Sequence, residues 1–161
     1  MSKKALILLV PLALLFVFVY SSMGKQSSEI EKSKERKMPD SASFEKLINS
    51  HRKGIGIKEL EHDDKLCSFA KQRVEKLFTV DWKSLGHYEF EKDADASGLL
   101  GRALLENISE GPNENMQLEG LLGSKSHREA IESKDNVYTC VATKNYLVVQ
   151  VFAQEYQNSD Q

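Results

Sequence analysis

The sequence predicts an α+β domain, and three observations carry that reading. Apolar residues recur at helical spacing near Phe44 and again, more strongly, from Leu66 to Leu77. Two β-rich runs, residues 137–142 and 146–153, end the chain on either side of a turn at Thr143-Lys144-Asn145. Helices first and a closing antiparallel hairpin last is an α+β order, not an alternation of strand and helix.

Phe44, Leu47, Ile48 and His51 stand at i, i+3, i+4 and i+7, the stripe of an amphipathic helix that Gly54 ends. Gly54-Ile55-Gly56-Ile57 reads as a loop. Asp63 or Asp64 caps a second helix with the stripe Leu66, Phe69, Ala70, Val74 and Leu77. Lys65, Lys71, Arg73, Glu75 and Lys76 read as its solvated face. Residues 79–96 show no helical period, although Trp82 and Phe90 supply bulk, and residues 97–105 read as a short helix leading into Glu106. A third helix starts after Pro112, carries Met116, Leu118, Leu121 and Leu122, and stops at Gly123-Ser124. A helical turn through His127 to Ile131 follows. In the last run Val149, Val151 and Ala153 alternate with Gln150, Phe152 and Gln154, which predicts one apolar face and one mixed face.

At 161 residues the chain has room for one domain. With 29% charged residues and a net charge of −2, it has no basic excess to attract nucleic acid and no acidic tail. The N-terminus is more informative. Lys3-Lys4 precede an apolar run from Ala5 to Tyr20, interrupted only by Pro11. That run falls short of the ~20 residues a spanning helix needs and suits a secretory signal, with Ser22 and Gly24 as the best small-residue pair for cleavage. An uncleaved signal anchor is the alternative, and either one exports the domain. The expected organisation is therefore a signal peptide or anchor at 1–24, a flexible polar linker at 25–40, the domain at 41–156 and a tail at 157–161.

Cys67 lies beside the apolar face of the second helix and Cys140 in a strand. In an exported protein the pair forms a disulfide or stays as two buried thiols, and the sequence leaves both open.

The candidate site centres on Leu104-Leu105-Glu106-Asn107-Ile108. A carboxylate among core residues needs a partner, and His87 and His127 are partners of the right type. Two imidazoles and a carboxylate could ligate a divalent ion such as zinc. Equally, one carboxylate accepting from two imidazoles could simply anchor loops. Nucleophilic catalysis finds little support: no Gly-x-Ser-x-Gly elbow is present, Ser124 and Ser126 sit too near His127 in sequence for triad geometry, and no activating histidine is evident for Cys67. His51 reads as a half-buried packing residue and His62 as solvated. Arg128 is either exposed or an anion contact.

The succession Asn49-Ser50-His51-Arg52, Leu66 to Ala70, Gly86-His87, Glu106-Asn107-Ile108, Ser124-x-x-His127-Arg128 and Tyr146 to Phe152 resembles the CAP superfamily (cysteine-rich secretory proteins, antigen 5, pathogenesis-related proteins). The likeness is to its compact bacterial SCP-like branch and covers residues 43–154. It implies a three-layer α-β-α sandwich with a small antiparallel sheet. It also implies a cleft carrying two His and two Glu, which in some members holds a divalent metal. His87, Glu106 and His127 match three of that set. The second Glu is not matched by motif, with Glu114 and Glu119 in the right helix, and Leu121 stands where this branch has Trp. Ser124 is expected to cap the turn that holds His127. Together with the N-terminal segment, the reading is an exported protein whose cleft binds a small molecule, a lipid or a divalent metal rather than turning a substrate over, with no cofactor required. The family's diversity does not fix the function. Alternatives are a metal- or His-dependent hydrolase and a module that contacts another protein.

Overall fold

The structure is a computed structural model that describes residues 38–99 and 103–155. The expected signal or anchor segment, almost all of the linker and the C-terminal tail lie outside the described residues. Among those described, no helix is long and apolar enough to cross a membrane.

Among the described residues, six helices and four strands follow one another as α1 (Ser41–Gly54), β1 (Glu61–His62), α2 (Asp64–Thr79), α3 (Trp82–Leu85), α4 (Phe90–Ala96), β2 (Leu104–Glu110), α5 (Glu114–Gly123), α6 (Lys125–Glu132), β3 (Asn136–Lys144) and β4 (Leu147–Gln154). The sheet order is β1-β3-β4-β2. β3–β4 and β4–β2 are antiparallel, but β1 joins parallel to β3, so the sheet is mixed and not purely antiparallel as expected. β2 forms one edge of the sheet, a position that matters for the cleft.

Alternation along the strands divides the core in two. Ile108, Cys140, Ala142, Val149, Val151 and Ala153 pack against α2 through Leu66, Phe69, Ala70, Val74 and Leu77. Val141, Val148 and Phe152 point the other way, against Phe44 and Ile48 of α1, Leu118 and Leu121 of α5, and Ile131 of α6. The result is helix–sheet–helix. β4 is buried on both faces, so its mixed face is also core: Gln150 is fully buried and donates from Nε2 to Thr139 Oγ1 at 3.1 Å.

Three helix starts show the same local chemistry. Asp40, Asp63 and Asn113 are in extended conformation before α1, α2 and α5, and their side chains accept from Ser43, Leu66 and Met116 N–H respectively. Each satisfies one orphan donor of a first helical turn. Two expectations fail in the middle of the chain. Residues 79–96 contain α3 and α4, helices too short to display a period, and Asp81 and Glu89 before them adopt positive φ. Of the expected helix over 97–105, residues 97–99 and 103 are not helical and Leu104 and Leu105 belong to the edge strand β2, while residues 100–102 lie outside the described residues.

A fully buried arginine closes the second layer. Arg52 Nε donates to the carbonyl of Lys58 at 2.8 Å, while its terminal nitrogens reach the carbonyls of Ile131, Ser133 and Asn136. The guanidinium thereby joins the end of α1, the loop before β1, the end of α6 and the start of β3. Burial lowers its pKa from the usual arginine value. Cys67 and Cys140 are bonded, tying α2 to β3 across 73 residues of chain.

Candidate ligand-binding cleft

Because β2 is an edge strand, side chains from both helical layers meet over it. Successive residues of a strand point to opposite faces, and the Glu106-Asn107 pair uses both. Glu106 faces α2, in register with Val151; Asn107 faces α6 and donates from Nδ2 to the His127 carbonyl at 3.2 Å. His87, from the loop after α3, and His127, from α6, thus approach one another across the strand. Their ring centres are 6.1 Å apart. Between and around them opens a cleft of about 960 Å3, whose lining includes Tyr88, Leu104, Leu105, Glu106 and Ser126.

Glu106 is held chiefly by a residue that the sequence reading placed in solvent. Arg73 has an exposure of only 1% and grips the carboxylate with two donors, Nε to Oε1 at 2.9 Å and Nη2 to Oε2 at 3.1 Å. Its other terminal nitrogen, Nη1, donates to Asp93 Oδ2 at 2.7 Å, and Nη2 also reaches the Gly86 carbonyl at 3.3 Å. The guanidinium lies 5.7 Å from the centre of the Phe90 ring. Such a planar fork suits Arg and not Lys. Burial pulls the Arg73 pKa down, but Glu106 and Asp93 outweigh it and leave it above the usual arginine value.

One turn on, Lys76 Nζ bridges Glu89 and Asp93, each at 2.8 Å. Burial raises the Asp93 pKa, and the hydrogen bonds from Lys76 and Arg73 more than reverse that, holding it below the usual carboxylate range. Arg73 and Lys76 together clamp the α3–α4 segment onto α2, and His87 sits in the loop between its two helices. Gly86 has φ +50°, a conformation that L side chains resist, which accounts for the glycine before the histidine.

His87 Nδ1 lies 3.0 Å from Glu106 Oε2. A carboxylate already engaged by a guanidinium accepts here, so Nδ1 carries the hydrogen and Nε2 is left to the cleft. The ring is half exposed, whereas the Glu106 side chain is buried. His127 is partly buried and makes no hydrogen bond to Glu106 through its ring. Burial first, and the neighbouring His87 second, lower its pKa, so it faces the cleft as a neutral imidazole at neutral pH.

The structure therefore brings His87, Glu106 and His127 to one cleft but does not make them a ligand set. Both Glu106 oxygens are taken, and the residues do not fit a three-ligand cation site while Arg73 stays in place. Neither candidate for a second Glu lines the cleft: Glu114 is buried at the start of α5 and accepts from Asp40 N–H at 2.9 Å, and Glu119 is exposed. Among the described residues, the group whose ligand atoms all lie within 4.8 Å of one another is Glu45, His62, Cys67 and Cys140, well away from the cleft.

Further expectations shift in detail. Ser124 precedes α6 but makes no side-chain cap; its carbonyl accepts from Arg128 N–H, and its hydroxyl is 3.4 Å from that of Ser126. Arg128 closes the end of α5 by donating to the Leu122 carbonyl at 3.0 Å. His51 Nε2 pairs with Glu132 at 2.9 Å, linking α1 to α6. His62 belongs to β1 and, far from merely solvated, contacts Glu45 and Cys67.

The layers and the sheet order give a CAP-like fold. Solved structures that match it include the following three. One is a cysteine-rich secretory protein from Staphylococcus aureus subsp. aureus Mu50, with TM-score 0.61, 13% identity, and coverage of 71% of this chain and 38% of that one. Another is an extracellular protein containing an SCP domain from Bacillus anthracis str. Ames, with TM-score 0.61, 16% identity, and coverage of 71% and 40%. An outer surface protein from Borrelia burgdorferi has TM-score 0.62 and 22% identity, covering 71% of this chain and 91% of that one. The match thus spans about two fifths of the first two proteins. No protein-family model and no curated protein matches the sequence.

Proposed function

We propose that the protein is exported and that the cleft over β2 binds a small ligand with an apolar body and a polar head, without turning it over. The observation that carries this reading is the engagement of Glu106. A carboxylate with both oxygens held by a buried guanidinium and one also accepting from His87 is not free to act as a general base or to activate a water. What it does is orient His87. The cleft is left with two imidazoles, the Ser126 hydroxyl and an apolar floor in which Leu105 and Tyr88 are 43% and 72% exposed. Apolar walls with a few convergent polar groups are the usual composition of a small-molecule site.

Export is supported by the charged-then-apolar N-terminal sequence and by the matched proteins, two of which are described as extracellular or outer-surface. The test is calorimetric titration of the full chain with a short-chain alkyl phosphocholine below its micelle concentration, alongside Leu105→Asp and His127→Ala. Saturable one-to-one binding that weakens at least tenfold in both variants supports the cleft. Binding that neither variant alters contradicts it.

A further inference from the structure

At the opposite edge of the sheet, β1 brings a histidine against the disulfide. His62 Nε2 lies 3.2 Å from Cys67 Sγ, and its Nδ1 lies 2.9 Å from Glu45 Oε2. The other oxygen of Glu45 accepts from Val141 N–H at 2.8 Å, which fixes the carboxylate. One imidazole nitrogen facing sulfur while the other donates to an anchored carboxylate is the arrangement that orients metal-ligating histidines. Neither sulfur is exposed, but the His62 side chain is 56% exposed, so the group has an open side toward solvent. Asp64 Oδ1 stands 3.7 Å from Nε2, adding negative charge at that opening.

We propose that the reduced chain holds a zinc-type divalent cation on Cys67 Sγ, Cys140 Sγ and His62 Nε2, with Glu45 orienting the imidazole, and that disulfide formation excludes it. Reduction by a dithiol delivers two electrons and two protons; the Cys67–Cys140 bond breaks to two thiols and the dithiol becomes a disulfide. The cation then displaces both thiol protons to solvent, and the sulfurs move apart to the spacing that two zinc–sulfur bonds of about 2.3 Å require. Two thiolates and one imidazole leave a fourth position for water. The site is independent of the cleft, since it uses neither His87 nor His127. Metal and disulfide exclude each other, so the same four residues close the α2–β3 junction in either redox state.

The experiment is anaerobic titration of the reduced full chain with cobalt(II). The expected result is one equivalent bound, with a thiolate-to-cobalt charge-transfer band and the visible bands of tetrahedral cobalt. His62→Ala weakens binding by well over tenfold and Glu45→Gln by roughly tenfold, the usual effect of removing an outer partner. His87→Ala and His127→Ala leave it unchanged, and the oxidised chain gives no thiolate band. If reduction alone unfolds the chain, cobalt restores the far-ultraviolet circular dichroism of the wild type and not that of His62→Ala. A reduced, folded chain without the band, a band indifferent to His62→Ala, or an unfolded reduced chain that cobalt does not restore overturns the proposal.

Discussion

Replacing Arg73 by Met tests how Glu106 is held. The substitution keeps a long apolar stem in the core of α2 and removes every charge-assisted contact the guanidinium makes: two to Glu106, one to Asp93 and one to the Gly86 carbonyl. Glu106, with its side chain 1% exposed, is left as a buried carboxylate facing only His87. Breaking a buried pair from one side costs about 3–5 kcal/mol, because the remaining charge has lost its solvation and its partner. Against a total stability of about 5–15 kcal/mol this is a large fraction. At roughly 4 °C per kcal/mol for a domain of this size, melting falls by roughly 12–20 °C. Urea unfolding of the wild type, Arg73→Met, Glu106→Leu and the double variant, with the disulfide intact, measures it. Glu106→Leu should cost less than Arg73→Met, since Arg73 keeps Asp93, and the double variant should cost less than the sum by more than about 1 kcal/mol. Costs that add to within ~0.5 kcal/mol, or an Arg73→Met variant as stable as the wild type, would refute a carboxylate anchored by Arg73.

Other outcomes follow from the same geometry. Replacing Cys67 and Cys140 together by Ala, with no metal present, should destabilise the domain by about 4 kcal/mol, the loop-closure value for a 73-residue span; a loss under ~1 kcal/mol in urea would contradict it. Gly86→Ala should cost ~1–2 kcal/mol through its positive φ and should displace His87, read as a changed histidine ring shift in NMR; an unstrained variant with His87 unmoved would be the contrary result. The pH dependence has a definite sign. The His127 pKa is lowered in the fold, so below the ordinary histidine value of about 6.5 the unfolded chain binds more protons than the folded one. Stability is full above that pH and declines as pH falls toward the lowered folded value. His127→Gln should flatten that part of the stability–pH curve; an unaltered slope would count against burial as the cause.

Much of the fold was legible because it is local. The stripes of α1 and α2, the aspartate that starts α2 and the closing hairpin are all patterns of neighbouring residues. The edge-strand position of β2 was not legible: Leu104 to Glu110 pairs with β4, some forty residues downstream, and nothing nearby marks that pairing. The three cleft residues were found from the oddity of a carboxylate among Leu and Ile. The partner that holds it was misplaced, although a signal existed. Leu66, Ala70, Arg73 and Leu77 run at spacings of four, three and four along α2, so Arg73 stands in the apolar stripe and not on the solvated face. A charge in a stripe and a carboxylate in a core segment each need a counterion, and here they are one another's. His62 was judged by its acidic neighbours Glu61, Asp63 and Asp64, whereas its contacts to Glu45 and Cys67 arise from β1 lying parallel on β3.

The most direct test of the cleft as a binding site is amide NMR mapping of the full chain during titration with the short-chain alkyl phosphocholine. The prediction is saturable shifts confined to residues around the cleft, Tyr88, Leu105, Ser126 and His127 first among them, and quiet amides at the β1 edge near His62. Shifts that never saturate, or that gather elsewhere on the domain while the cleft stays silent, would contradict the assignment of ligand binding to the cleft between His87 and His127.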